Sequence, residues 1–274
     1  MTMPRQSDIL DLISNYRSKG EPFALATVVR TVSVTAAKAG AKAVILADGS
    51  ITEGWIGGGC ARGAVLKAAR EALADGQSRL VSIQPDEQLS EHRVKAGEIR
   101  DGVVYAKNMC PSQGTMDVFV EPVLPRPHLT VCGASPVAVA LADLARRMGF
   151  FVTVCAPAPE HAGFGEADRL VDGYAIPVDG SERDYVVIAT QGRGDSLALK
   201  AAVQAPCKYL AFVGSRKKAA ALKADLTASG VASERLEHIH APAGLNIGAI
   251  TPDEIAFSIV AEMIEIRRRG QRTL

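Results

Sequence analysis

Leu129-Thr130-Val131-Cys132-Gly133-Ala134-Ser135-Pro136-Val137-Ala138 runs an apolar strand into a glycine turn and then into the start of a helix. In a doubly wound sheet this is where the first strand presents a G-x-G-x-x-G turn to a dinucleotide. Only the first glycine is present here. Ser135 replaces the second, and Ala138 the third, where alanine is an accepted variant. Such a turn still offers amides to a phosphate, less closely, so Gly133, Ser135 and Pro136 are candidate cofactor contacts. Downstream, strands and helices alternate: helix Pro136 to Met148, strand Phe151 to Cys155, strand Tyr185 to Ala189, helix Leu197 to Val203, strand Tyr209 to Val213. That rhythm predicts a parallel doubly wound sheet. A helix from Ser215 to about Ala228 follows, and Thr251-Pro252-Asp253-Glu254 announces the last one as a capping box with proline in its first turn. Gly214-Ser215-Arg216 opens a helix after a strand, so amides, a hydroxyl and a cation meet where an anion would bind. A ribose-binding acid about 20 positions beyond the turn is not visible: Val154 leads into Cys155-Ala156-Pro157, and Glu160 lies past two prolines.

Working back from that stretch, Pro122, Pro125 and Pro127 crowd residues 121–128 into a stiff segment poor in sheet donors. This predicts a boundary between a domain at 1–124 and one at 125–274. The first half opens with Ile9, Leu10, Ile13 and Tyr16 at near-helical spacing behind Ser7 as cap. Strands are predicted at Phe23 to Val29, Ala43 to Leu46 and Ile51 to Ile56, with Asp48-Gly49 as a hairpin signal, then a helix from Cys60 to Ala74. Leu80 to Ile83 and Met116 to Val120 bracket a polar stretch containing Cys110-Pro111-Ser112-Gln113-Gly114. The predicted class is α/β: a small mixed α+β N-terminal domain followed by a Rossmann-like doubly wound parallel-sheet domain.

Within the first half, Gly54-Trp55-Ile56-Gly57-Gly58-Gly59-Cys60-Ala61-Arg62-Gly63 joins a strand to a helix through three glycines ending at a thiol. Glycines let backbone N–H groups approach an anion closely, and the helix start adds partial positive charge. The same dipole favours the thiolate of a cysteine placed there. Gly57, Gly58, Gly59 and Cys60 are therefore candidate binding residues, and Cys60 the candidate reactive one. The alternative is that Cys60 only fills space where helix meets strand.

The chain of 274 residues has 47% hydrophobic residues and a formal net charge of +1. It has no global field to attract nucleic acid or an anionic membrane. No signal-peptide core and no run near the ~20 residues of a membrane span is present, which predicts a cytoplasmic protein. Five cysteines lie far apart with no C-x-x-C pair, so disulfides and a zinc ribbon are not expected. Cys132, Cys155 and Cys207 sit in or beside apolar runs and read as packing residues. His238-Ile239-His240 lacks a third ligand, so no metal site is predicted. Neither a G-x-S-x-G elbow nor a Walker A loop occurs.

Taken in order, Ala26 to Thr31, Gly40-Ala41-Lys42, Gly54 to Cys60, Gly133 to Pro136, Gly214 to Lys218 and His240 to Gly248 resemble the XdhC/CoxF (XdhC/CoxI) family over nearly the whole chain. The Cys110 to Gly114 stretch looks closer to the CoxF side, associated with carbon monoxide dehydrogenase, than to the xanthine dehydrogenase side. The resemblance implies a small N-terminal domain before a Rossmann-like one, and an accessory protein for molybdenum hydroxylases. Such a protein holds molybdenum cofactor as cargo, supports its sulfuration by a cysteine desulfurase and helps deliver it to the large subunit of the apo-hydroxylase. On that reading Arg30 and Lys42 lie near the Cys60 turn, with Cys110 facing it. Departures from the family pattern are Val34 to Lys38 in place of a Ser-Pro-Arg-like stretch, Asn246 where Asp is common, and Ala156 where an acid often ends the strand. Two other readings stand beside it. One is an oxidoreductase binding FAD or NAD(P) at the Gly133 turn with Cys60 as redox thiol; the other is a docking scaffold that binds nothing small. A homodimer is the expected assembly, because twofold homo-oligomers are the commonest.

Overall fold

A computed structural model describes residues 6–111, 113–177 and 185–269, with the side chains of residues 6–8, 10, 18 and 60 outside that description. The chain divides into two compact units, Met1–Pro125 and Arg126–Leu274.

The first unit runs α1 (Gln6–Lys19), β1 (Phe23–Val32), β2 (Lys42–Leu46), β3 (Ile51–Gly54), α2 (Gly59–Asp75), β4 (Arg79–Gln84), α3 (Asp86–Glu91), β5 (Ile99–Arg100), β6 (Val103–Lys107) and β7 (Thr115–Val123). Its strands form one mixed sheet in the order β3-β2-β1-β7-β4-β6-β5, antiparallel except for the β4–β6 pair. The two faces are distinguished by the alternation of side chains along each strand. Ala24, Ala26, Val28, Ala43, Ile45, Val81, Ile83, Met116 and Val118 face α2 and pack with its Val65, Ala68, Ala69 and Ala72. Those alanines let the helix lie close on the sheet. On the other face, Ile9 of α1 covers Phe23 and Val44.

Among the described residues α1 runs from Gln6, so Ser7 lies inside the helix and not at the predicted cap. The third strand ends at Gly54, two residues short of the expected Ile56, because Gly54 has φ +86° and an added Cβ would lie 2.0 Å from the Lys42 carbonyl oxygen. The stretch read only as polar between β4 and β7 holds α3, β5 and β6, elements too short to show a period.

The second unit runs β8 (His128–Cys132), α4 (Pro136–Arg147), β9 (Phe151–Ala156), a 3-10 turn at Ala158–Gly163, β10 (Arg169–Asp172), β11 (Tyr185–Ile188), α5 (Asp195–Ala202), β12 (Tyr209–Phe212), α6 (Arg216–Ala228), α7 (Ser233–Glu237), β13 (Ile239–His240) and α8 (Pro252–Arg268). All strand pairs are parallel in the order β10-β9-β8-β11-β12-β13, the doubly wound order that reverses between β8 and β11. One side of the sheet packs on α4 and α8, the other on α5 and α6. The predicted capping box is formed: Thr251 accepts from the Glu254 N–H and Glu254 accepts from the Thr251 N–H. Among the described residues no helix is long and apolar enough to cross a membrane.

Candidate functional site

In the first unit the segment after β3 is anchored by Ile56, whose side chain is fully buried, a contribution of roughly 2 kcal/mol. Gly57, Gly58 and Gly59 then lead into α2. Gly58 is its N-cap, with no side-chain cap hydrogen bond, and the first turn contains no acidic residue. The N–H groups at the start of α2 are thus left without the side-chain oxygen that ordinarily answers them. The turn lines a cavity of about 290 Å³ with Ala61, Thr35, Asn108 and Cys110, and Ile83 and Met116 are among the apolar walls. Cys60 is the second residue of α2, between Gly59 and Ala61, which both line the cavity; its side chain lies outside the described residues.

Cys110 reaches the cavity because Asn108 closes its loop. The Asn108 amide nitrogen donates to the Gly114 carbonyl at 2.6 Å, and its oxygen accepts from the Cys110 N–H at 2.9 Å. Cys110 is exposed. The structure thus brings Gly57, Gly58, Gly59 and Cys110 around one space, and adds Thr35 and Asn108, which sequence reasoning missed. The one signal for Asn108 was its place two residues before the Cys110 turn.

Arg30 and Lys42 are placed elsewhere. Simple alternation from Val28 would aim Arg30 at the face that α2 covers, but the β1–β7 register shifts between Val28 and Arg30, and this irregularity turns Arg30 onto the opposite face. There its Nε donates to the Asp117 carboxylate at 2.5 Å, and Asp117 also accepts from Ser82 at 2.6 Å. Lys42, next to the inward Ala43, donates to Thr27 Oγ1 at 3.0 Å on that same face. The cavity lining among the described residues contains no lysine or arginine; its polar side chains are those of Thr35, Asn108 and Cys110.

The glycine turn of the second unit is built differently. Gly133 has φ +108°, and a Cβ there would lie 2.6 Å from both the Ala189 oxygen and the Thr190 Cα, so the glycine serves close packing of the turn against the end of β11. Ser135 caps α4 by accepting from the Ala138 N–H at 3.2 Å, with Pro136 in the first turn. Strand β9 ends in buried Ala156 before Pro157, and Glu160 faces Arg193 at 3.9 Å. At the next strand end, Ser215 caps α6 by accepting from the Lys218 N–H at 3.2 Å, beside Gly214 and exposed Arg216. Lys218 itself pairs with buried Asp195, which Thr190 and the Gly192 N–H also reach. Burial pushes the Asp195 carboxyl up, but these hydrogen bonds outweigh it and hold it below its ordinary value.

Cys132 and Cys155 are register partners at the ends of β8 and β9 and are fully buried. Their mutual hydrogen bond and burial push the Cys132 thiol up, which keeps it neutral. His240 is held by Glu262 at 2.8 Å, and Glu262 also accepts from Tyr209 at 2.5 Å and from the Gly244 N–H at 2.8 Å. The His240 to Gly248 motif therefore ties β13 to α8. Among the described residues no group of His, Cys, Asp or Glu is arranged to hold a metal.

Two family models match the chain: the XdhC Rossmann domain over residues 129–263 and the XdhC and CoxI family over residues 16–84. The uncharacterized protein YqeB of Escherichia coli (strain K12) is 33% identical over 264 residues, covering 91% of this chain and 44% of that protein. A probable xanthine dehydrogenase subunit of Bacillus subtilis (strain 168) is 31% identical over 163 residues, covering 57% of this chain and 47% of that protein. The chain thus spans about half the length of the curated relatives it matches. A crystal structure of a xanthine dehydrogenase from Bacillus halodurans superposes over 95% of this chain and 96% of that one, at 19% identity and a TM-score of 0.46.

Proposed function

This chain belongs to the XdhC and CoxI family, and from that premise we propose that it is an accessory protein in the maturation of a molybdenum hydroxylase, with molybdenum cofactor as its cargo. The observation that carries the reading is the cavity in front of α2, where the glycine turn without a side-chain cap and Cys110 line one space and Cys60 stands between lining residues Gly59 and Ala61. The cargo is a pterin bearing a phosphate and a dithiolene-bound oxo-metal centre. Its phosphate suits the amides at the start of α2, which act through hydrogen bonds and the helix dipole without a cation. Its ring suits a wall of apolar side chains, and its metal end suits the thiols. Cys60 and Cys110 then contact the metal or its sulfur, a cysteine desulfurase supplies that sulfur, and the large subunit of the apo-hydroxylase receives the product. The name of the Bacillus subtilis relative supports a partner of the xanthine dehydrogenase type.

The test is cargo retention. Wild type, Cys60→Ser and Cys110→Ser are purified from a host that makes molybdenum cofactor, denatured, and assayed for pterin, flavin and nicotinamide nucleotide per chain. Pterin in wild type and its loss from the variants is the expected result. Flavin or nicotinamide without pterin selects the oxidoreductase, and an empty wild type with intact partner binding selects the scaffold.

A further inference from the structure

Trp55 is the chain's one tryptophan, and it stands immediately before the glycine turn with its side chain 47% exposed. Its position is imposed by its neighbours. The Trp55 N–H donates to the Lys42 carbonyl at 2.9 Å, Gly54 before it takes a left-handed conformation, and Ile56 after it is fully buried. The backbone is thus pinned with Ile56 inward and Trp55 outward. The indole does not swing free: its Cη2 lies 3.8 Å from where a Cβ on Gly58 would sit, so the ring rests on the cap residue of α2. Trp55 stands outside the cavity lining and borders it through Gly58, while Met109, 70% exposed, Ala36 and Met116 line the cavity itself.

Large aromatic faces left in water are stabilised by another flat ring, and amides at a helix start by an anion. We propose that Trp55 is a stacking platform for a planar heteroaromatic ring carrying a phosphate, held so that the ring meets the indole while the phosphate meets the amides of α2. This rests on the cargo reading above and assigns its ring-binding residue.

The experiment is equilibrium dialysis of the full chain against neopterin monophosphate and, separately, inorganic phosphate, for wild type, Trp55→Phe and Trp55→Ala. Stacking on one aromatic side chain contributes enough that Trp55→Ala is expected to weaken neopterin monophosphate at least about tenfold. Inorganic phosphate should bind wild type and Trp55→Ala alike, and Trp55→Phe should keep most of the pterin affinity. Unchanged pterin binding by Trp55→Ala overturns the platform and leaves the cargo reading standing. Equal weakening of both ligands also overturns it, since the ring would then be propping the turn. A wild type that takes up no neopterin monophosphate overturns the cargo reading, and the platform with it.

Discussion

Two glycine turns lead strands into helices in this chain, and they use their backbone amides in opposite ways. At Gly133 the fold consumes the turn: the glycine presses against Ala189 and Thr190, and Ser135 answers the helix N–H groups with its own hydroxyl. At Gly57 to Gly59 the turn is left open, its cap residue has no side chain to offer, and the three glycines line a cavity. The more familiar motif thus serves packing, while the less familiar one is left lining an open cavity. A glycine motif is informative only with the knowledge of what its missing side chains would have touched.

Gly133→Ala should break the second turn outright. Its Cβ would stand 2.6 Å from two backbone atoms at φ +108°, neither able to withdraw as a flexible side chain would. The expected cost is about 3 kcal/mol or more, read as a fall of roughly 10 °C in the melting temperature of the full chain. Retention of pterin by the fraction that remains folded should not change. A variant that melts like wild type would show that the turn is not packed as described.

The same corner predicts a pH dependence. The Asp195 carboxyl is held below its ordinary value of 3.8 by Lys218, Thr190 and Gly192 against the effect of burial. A depressed carboxyl stabilises the fold above its unfolded value and loses that stabilisation as pH falls through the folded one. Thermal stability should therefore drop as pH falls below about 4, and Asp195→Asn should flatten that part of the curve. Lys218 is 41% exposed, so with screening the pair is worth about 1 kcal/mol at neutral pH. An unaltered acid limb in Asp195→Asn would remove Asp195 from the account. Ser135→Ala comes next, at about 1 kcal/mol for a lost cap. Ser135→Gly should cost less and open the amides of α4; uptake of nucleotide by that variant would mean the two turns differ by one hydroxyl.

What the sequence allowed one to read follows the same physical line. Strands β8, β9, β11 and β12 are continuous apolar runs because they are covered on both faces, and they stand out. The edges β10 and β13 have four and two residues, too few for any pattern. Cys110 was placed beside the glycine turn by the family resemblance, since its own Pro-Ser-Gln-Gly context says nothing of a segment fifty residues away. Arg30 was legible as a cation but not as to side, since one register shift at Val29 reverses the face of everything that follows it. Thr35 enters the cavity through the pairing of distant segments, Val34 with Gln113, which no local window contains, whereas Asn108 is held within its own loop by Gly114.

The smallest effect on stability should be the most telling. Gly58 has φ −104° and ψ 179°, a backbone any residue adopts, and the nearest atom to an added Cβ is 3.8 Å away. Serine therefore fits, and as an N-cap it should stabilise α2 by only a few tenths of a kcal/mol relative to glycine. Yet its hydroxyl would accept from the N–H groups at the start of α2, as Ser135 does for α4 in the second unit. Gly58→Ser thus grafts the closed turn onto the open one. The expected outcome is a melting temperature within a degree or two of wild type and a retained pterin content reduced about tenfold or more, measured on the same preparations. If both stay at wild-type values, the amides of α2 hold no anion and the contrast between the turns is one of packing alone. If pterin falls and stability does not, the absence of a cap at Gly58 is the feature on which binding depends.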